Sequence, residues 1–335
     1  MQHDKTPTCE EQDGQVTVTR FKPSRSLYKL EWSGELKRAL HKAEADILHL
    51  HVPNPTMVLA LHLAHPDIPT VVTYHSDVVR QKILAALFRP IERAVCKRVK
   101  LIFATSPRYT EGSRFLQTYL SKVRVLPLGL NLQPYLHPDE STLKKAAGIR
   151  AKFQAPIWLA CGRLVYYKGL LNAIRALVKV PGTLILVGEG PESAALEAEA
   201  KRLNVAERVH FAGRLPELND LIPYYLAAKA LWFPSNARSE AFGLVQVEAM
   251  ACGCPVINTE IPFSGVAWVS RHEETGLTVP VDNPDALAAA ARRLMDDPNL
   301  REALSKGGVK RSREKFSDEP MARASLEFYR EALAK

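Results

Sequence analysis

No stretch of this chain holds the roughly 18 consecutive apolar residues that a membrane-spanning helix requires. The first fifteen residues are mostly polar and lack the apolar core of a secretory signal. Cysteine is scarce. Cys9, Cys96, Cys161, Cys252 and Cys254 form an odd set without paired zinc spacing, which argues against a disulfide framework and for reduced thiols in a cytoplasmic protein. No Asp-x-Asp pair is present to hold a divalent ion on a diphosphate. His49, His51 and His75 lack the three or four matched ligands that a metal site needs, so no metal is expected. Aromatic residues make up only 7%, and neither an aromatic-rich RNA motif nor a helix-turn-helix pattern occurs, so no nucleic-acid partner is expected.

What the chain does have is positive charge, unevenly placed. The net charge of 335 residues is +9, yet residues 1–150 carry 22 Lys+Arg against 14 Asp+Glu, while residues 151–335 carry 23 against 22. An anionic partner of the first half, such as a membrane headgroup or lipid-linked phosphate, or simply a basic soluble surface, accounts for this. Within 78–100, Lys82, Arg89, Arg93, Lys97 and Lys100 fall along one helical face, with Ile83, Leu84, Leu87, Ile91 and Val95 on the other. Such a face suits either a membrane surface or plain solvent, and Pro90 is expected to break or kink the helix.

With 46% hydrophobic residues the chain can bury more than one core. Short β-rich runs alternate with helical patterns: Gln15–Phe21, Asp46–Val52, Thr70–Ser76, Lys100–Ser106 and Lys122–Leu128 in the first half. After a proline-containing passage the runs resume at Ile157–Gly162, Thr183–Val187, Val209–Gly213, Ala230–Phe233, Pro255–Thr259 and Gly276–Val279. Their near-continuous apolar content predicts parallel strands covered on both faces. The expected fold class is therefore α/β, with two Rossmann-like, doubly wound domains and a ligand cleft between them, beyond the carboxyl ends of the strands. The expected boundaries are 1–147 for the first domain, 148–313 for the second and 314–335 for a terminal helix. Leu326, Tyr329, Arg330 and Leu333 on that helix have the spacing to pack back across the domains.

The most informative segment runs from Ser235 to Met250. It follows the strand Ala230–Phe233 and leads into a helix expected from about Gly243 to Cys252, stopped by Gly253. Glu240 then lies on the loop before the helix and Glu248 a little over one turn inside it. Between them, the backbone N–H groups of Phe242, Gly243, Leu244 and Val245 open a helix N-terminus, which is an anion site, and a carboxylate on either side can hold hydroxyls around that anion. A sugar phosphate fits this chemistry.

A second motif, Gly162-Arg163-Leu164-Val165-Tyr166-Tyr167-Lys168-Gly169, follows the strand Ile157–Ala160. Arg163 offers a planar fork and Lys168 a point charge, and together they can reach one diphosphate from separate sides. Gly188 in Val187-Gly188-Glu189-Gly190, and Arg214 with Leu215 after Phe211-Ala212-Gly213, end two further strands and can line a nucleoside pocket. In the first half His75 and Asp77 close the strand Thr70–Ser76, where His75 can meet a sugar hydroxyl or move a proton while Asp77 orients its ring.

Gly162-Arg163-Leu164…Lys168-Gly169 and Glu240…Glu248 enclosing Phe242-Gly243 together resemble the retaining, nucleotide-sugar-dependent glycosyltransferases of family four, over about residues 45–320. That resemblance implies the GT-B fold of two facing Rossmann-like domains. It also implies Glu240 on the donor sugar, Glu248 on the ribose, and Arg163 and Lys168 on the diphosphate leaving group. The donor substrate would be a nucleoside-diphosphate sugar with no further cofactor, and the acceptor a glycan or lipid-linked sugar. The tracts His75-Ser76-Asp77 and Thr105-Ser106-Pro107-Arg108-Tyr109 look most like bacterial members that build surface polysaccharides, some of them mannosyltransferases. The expected location is the cytoplasm, either free or peripheral at the inner face of the membrane.

The chain departs from the family at its start. Members begin with a strand that leads into a glycine-rich loop and helix, whereas the first strand-like run here is already Gln15–Phe21. The N-terminal domain is therefore expected to be incomplete by at least one βα unit. The alternative is a non-catalytic nucleotide-sugar-binding protein or subunit.

Overall fold

A computed structural model describes residues 7–27, 30–77, 82–153 and 155–334. The chain divides into two compact units. One takes in Met1–Ala104, Thr118–Arg124 and Leu326–Lys335, and the other Thr105–Gln117 and Val125–Ser325.

In the first unit, strands β1 (Cys9–Asp13) and β2 (Val16–Arg20) form an antiparallel hairpin, and β3 (Arg25–Leu27) pairs antiparallel with β4 (Leu30–Trp32). This corrects the expectation of a parallel, doubly covered strand at Gln15–Phe21. The sequence Val16-Thr17-Val18-Thr19 alternates apolar and polar groups, the mark of a ribbon with a solvated face, and Val16 is 60% exposed. Asp13 lies opposite Val16 across the turn at Gly14, whose φ of +60° suits glycine.

The main sheet of this unit orders β5 (Leu48–Val52), β6 (Thr70–Tyr74), β7 (Leu101–Ala104) and β8 (Val123–Val125) in sequence, with β5, β6 and β7 parallel. Val71, Val72 and all four residues of β7 are buried, as parallel strands covered by helices must be. The helix Pro55–Ala64 that links β5 to β6 starts on Asn54, whose side chain accepts from Met57 N–H at 3.2 Å, with proline in the first turn.

Helix Lys82–Arg98 contains Pro90 without a break. Proline removes the bond to the carbonyl of Ala86, and both residues face solvent, so water can satisfy that group. Val95 is buried and Arg93 and Lys97 are exposed, as the pattern predicts. Leu87 instead stands 69% exposed. Residues 78–81 of the basic segment, and the side chains of Lys82, Ile83 and Leu84, lie outside the described residues. Among the described residues no helix is long and apolar enough to cross a membrane.

The end of helix Asp318–Ala334 belongs to this unit, and of the four residues expected to pack only Tyr329 does, with Leu326, Arg330 and Leu333 exposed. Phe328 and Tyr329 lie against Phe103, with ring centroids 5.6 and 6.3 Å away, and Ala332 is fully buried. Leu326 and Leu333 remain 56% and 50% exposed. Two aromatic rings supply more apolar area for burial than the leucine row, and they set the rotation of the helix. Arg124 adds a two-pronged bond to Glu331 at 3.0 and 2.5 Å.

The second unit is built on six parallel strands: β9 (Ile157–Cys161), β10 (Thr183–Val187), β11 (Val209–Gly213), β12 (Ala230–Phe233), β13 (Val256–Thr259) and β14 (Gly276–Val279). Their order across the sheet is β11-β10-β9-β12-β13-β14. Numbered from β9, this is the 3-2-1-4-5-6 order of a dinucleotide-binding sheet, with its direction of winding reversed between β9 and β12. Successive residues of each strand feed opposite cores. Trp158, Ala160 and Trp232 enter one, with the two indoles stacked at 5.0 Å, while Ile157, Leu159, Cys161, Leu231 and Phe233 enter the other. The strands at Thr183–Val187, Val209–Gly213, Ala230–Phe233 and Gly276–Val279 end where the sequence pattern places them.

Candidate active site

Between β9 and β12 two loops leave the carboxyl ends of neighbouring strands, which is where doubly wound sheets hold ligands. The loop after β9 carries Gly162 to Lys168, and the loop after β12 carries Ser235 to Glu240. They meet in an ion pair: Lys168 Nζ lies 2.6 Å from Glu240 Oε2, with only 12% and 11% of the two side chains exposed. Ser235 Oγ donates to the same oxygen at 3.4 Å, and Lys168 Nζ sits 4.8 Å from the centre of the Phe233 ring. Two residues expected to touch different parts of one ligand therefore touch each other.

Arg163, on the same loop as Lys168, is exposed, and its side chain makes no hydrogen bond or ion pair with the described residues. Its guanidinium is free to take an anion. The neighbouring strand β10 is followed by Gly188, whose φ is +135° and where a Cβ would lie 2.0 Å from the Gly162 carbonyl oxygen. Only glycine permits that approach of the two strand ends. Beyond β11, Arg214 is exposed and Leu215 packs against the apolar cluster, so their backbones continue the same row of strand ends.

Helix Leu244–Ala251 begins one residue later than expected, on Gly243 in the left-handed region at φ +80°. A Cβ there would meet the Phe233 ring at 2.7 Å. Gln246 anchors the junction, donating to the Phe242 carbonyl at 2.9 Å and accepting from Asn258 Nδ2 at 2.8 Å. Phe242 is buried, while Leu244 and Val245 are half-buried at the first turn. Gly253 follows the helix at φ +69°, the usual stop.

Glu248 is 8% exposed, and burial pushes its carboxyl above the usual range against the pull of a bond from Tyr225 and of nearby Lys168. Tyr225 Oη donates to Oε2 at 2.7 Å, and Cys161 Sγ lies 3.2 Å from the same hydroxyl. Glu248 Oε1 has no hydrogen-bond partner among the described residues. A carboxylate with one oxygen gripped and the other open can accept bonds from ligand hydroxyls.

Sequence reasoning missed Tyr225, Ser235 and Arg238. Tyr225 sits in the helix Ile222–Ala227, far from any motif, and only the fold brings it beneath Glu248. Arg238 donates to the Gly112 carbonyl at 2.8 Å and lies 4.8 Å over the Tyr109 ring, while Arg108 pairs with Glu260 at 2.6 Å. The 105–117 segment thus reaches the loops around Glu240 within its own unit.

In the first unit His75 is half-buried at the end of β6. Its Nε2 lies 2.9 Å from His51 Nδ1, whereas Asp77 accepts from the Tyr74 hydroxyl at 2.8 Å. The expectation that Asp77 orients His75 is corrected: adjacent parallel strands set His51 beside the ring. The stack continues to His49, which bonds Tyr329 Oη at 2.6 Å and Thr73 Oγ1 at 2.7 Å. The imidazoles lie face to face instead of converging, and among the described residues no group of three or more His, Cys, Asp or Glu could hold a metal ion.

Burial, with the neighbouring imidazoles, lowers His49 to about 4, and burial also lowers His51 and His75. Between pH 6.5 and about 4 the unfolded chain therefore binds more protons at His49 than the folded one. Stability from this site is complete above pH 6.5 and is lost as the pH falls through that window. His49→Gln, which keeps polar atoms for Thr73 and Tyr329 but does not titrate, is expected to show a smaller drop in melting temperature between pH 7 and pH 5 than the parent. Equal drops in the two proteins would refute this role for His49.

Residues 144–311 match the model for glycosyl transferases group 1, and residues 2–134 that for glycosyltransferase family 4. The chain is 38% identical over 275 residues to D-rhamnosyltransferase WbpZ of Pseudomonas aeruginosa, covering 82% of this chain and 71% of that protein. It is 32% identical to O-antigen chain mannosyltransferase C of Escherichia coli, covering 86% and 76%. Among solved structures, sucrose-phosphate synthase from Thermosynechococcus elongatus superposes with a TM-score of 0.77 at 26% identity, over 94% of this chain and 84% of that one. Anabaena HepE, solved with UDP, gives 0.73 at 20% identity over 88% and 80%, a likeness of fold. With both halves matched by family models and a nucleotide-binding strand order beneath the Lys168–Glu240 pair, the chain belongs to the group 1 and family 4 glycosyltransferases of GT-B fold.

Proposed function

We propose that this enzyme transfers a hexose from a nucleoside-diphosphate sugar to a glycan or lipid-linked acceptor, with retention of configuration, in the synthesis of a bacterial surface polysaccharide. The observation that carries the proposal is the meeting of Lys168 and Glu240 at the β9–β12 switch point, with Arg163 unpaired nearby and Glu248 one helical turn beyond. In this reading Glu240 receives the transferred sugar, Glu248 the ribose, and Arg163, Lys168 and the N-terminus of helix Leu244–Ala251 the diphosphate. Gly162, Gly188, Arg214 and Leu215 border the nucleoside.

Breaking the sugar–phosphate bond moves negative charge onto the diphosphate. Fixed cations and helix N–H groups stabilise that charge more in the transition state than in the ground state, and so act on turnover. Lys168 has three donor protons, so it can keep Glu240 on one side while it takes a phosphate oxygen on the other. His75, in the first unit, would serve the acceptor side as a neutral hydrogen-bonding group. The names of the relatives, O-antigen mannosyltransferase and D-rhamnosyltransferase, support a hexose or deoxyhexose donor and a surface-glycan acceptor. The basic first half supports work beside an anionic membrane on its cytoplasmic side.

The test is a thermal-shift screen of UDP- and GDP-linked hexoses and deoxyhexoses, followed by product analysis with the best donor and a lipid-linked acceptor. A donor that raises the melting temperature and yields an α-linked product from an α-linked donor is the expected result. Failure of every donor both to stabilise the protein and to be consumed would sink the proposal.

A further inference from the structure

We infer that Tyr225 is a positioning residue for the donor nucleoside: gripped from behind by Cys161, its hydroxyl holds Oε2 of Glu248 so that Oε1 alone is presented to the ribose. The inference rests on the donor-site reading above. Tyr225 is 1% exposed, so its hydroxyl can serve only groups inside the protein. It has one proton to give. A carboxylate can only accept, so the proton lies in the 2.7 Å bond to Glu248, and the 3.2 Å contact with Cys161 must then be a thiol donating to the tyrosine oxygen. Burial supports that direction, pushing the Cys161 thiol up to about 12 and Tyr225 well above its ordinary value, so both stay protonated. The result is a one-way chain from Cys161 to Tyr225 to Glu248, which strengthens each bond and pins the carboxylate rotamer.

The other titratable or charged groups that face this carboxylate are Lys168, Tyr135 and Cys252. Of these only Lys168 is a cation, and it and the Tyr225 bond pull the Glu248 carboxyl down against the larger upward push of burial. Loss of the Tyr225 bond raises Glu248 further, so that it protonates, and stops binding a hydroxyl donor in its ionised form, at a higher pH than before.

The experiment measures binding of UDP and GDP, and of their 2′,3′-dideoxy forms, across pH to the parent and to Tyr225→Phe, which keeps the ring and its packing. The parent is expected to bind one ribonucleotide and to bind its dideoxy form more weakly. In Tyr225→Phe the ribonucleotide should bind about three- to tenfold more weakly, the scale of one ordinary hydrogen bond, since the charged ribose acceptor stays in place and loses only its support. Its dideoxy counterpart should bind as before, and the acid limb of ribonucleotide binding should move to higher pH. Cys161→Ala should shift that limb in the same direction by less, and it stands in if Tyr225→Phe does not fold.

Unchanged discrimination and an unchanged acid limb in the variants would overturn the role of Tyr225 while leaving the donor site intact. Equal weakening of ribo and dideoxy forms would also overturn it, as a general structural loss. A parent that binds neither nucleotide, or does not distinguish the dideoxy form, would overturn the donor-site reading together with this one.

Discussion

Lys168→Met is expected to reduce turnover at saturating donor by about 10²- to 10³-fold, the effect of removing one preorganised group from developing charge. It should also destabilise the second unit. The substitution leaves Glu240, 8% exposed, with Ser235 as its remaining partner at 3.4 Å, and breaking one side of a buried pair costs at most about 3–5 kcal/mol. The pair lies at the mouth of two loops, so the lower end of that range applies. Stability and catalysis separate in the double variant Lys168→Met/Glu240→Gln, in which the orphaned charge is gone. Its melting temperature should recover most of the loss while turnover stays low. Full turnover in Lys168→Met at saturating donor would remove Lys168 from the chemistry, and a double variant no more stable than the single one would remove the ion pair from the stability argument.

Arg163→Ala is expected to lower turnover on a similar scale, about 10²-fold, with almost no structural effect. The side chain is exposed and bonds to none of the described residues, so stability should change by no more than about 0.5 kcal/mol. Donor KM should change less than kcat, because the bond order and charge at the leaving group change mainly on the way to the transition state. Arg163→Lys keeps the charge but loses the planar fork, and should recover only part of the rate. Steady-state kinetics beside thermal melting read both quantities. A rise in KM at constant kcat would mean that Arg163 binds donor and transition state alike.

Lys168 and Arg163 look equivalent in the sequence, two cations five positions apart on one glycine-flanked loop. Their environments differ because Lys168 ends a short helical turn directed at the β12 loop, whereas Arg163 leaves the strand end toward solvent. That difference lies in the path of the backbone between Gly162 and Gly169, which the order of residue types does not encode in any readable pattern.

The same contrast runs through the fold. Thr183–Val187 and Ala230–Phe233 were legible because a parallel strand covered on both faces needs an unbroken apolar run, and few other structures do. The hairpin at Cys9–Arg20 was misread because a Val-Thr alternation between polar neighbours serves any half-covered strand, and its partner Cys9–Asp13 is polar. The terminal helix was recognisable as a helix, but of its buried face only Tyr329 was. Leu326 and Leu333 have helical spacing, yet the contact goes to Phe328 and Tyr329 because Phe103 and His49 are what they meet.

The segment Ser235–Met250 by itself determined the chemistry on offer: two carboxylates flanking a helix start, after a buried strand and before a glycine stop. Local rules suffice for that, since strand, turn and helix signals act over a few residues. The tertiary structure alone decided which groups those carboxylates would meet. Glu240 lies against Lys168 because β9 and β12 are neighbours at the point where the sheet reverses its winding. Glu248 lies over Tyr225 and Cys161 because the helices on one face of that sheet share a core with the end of β9. Partners 23 and 72 residues away in sequence are selected by strand order and packing, and those are properties of the whole sheet.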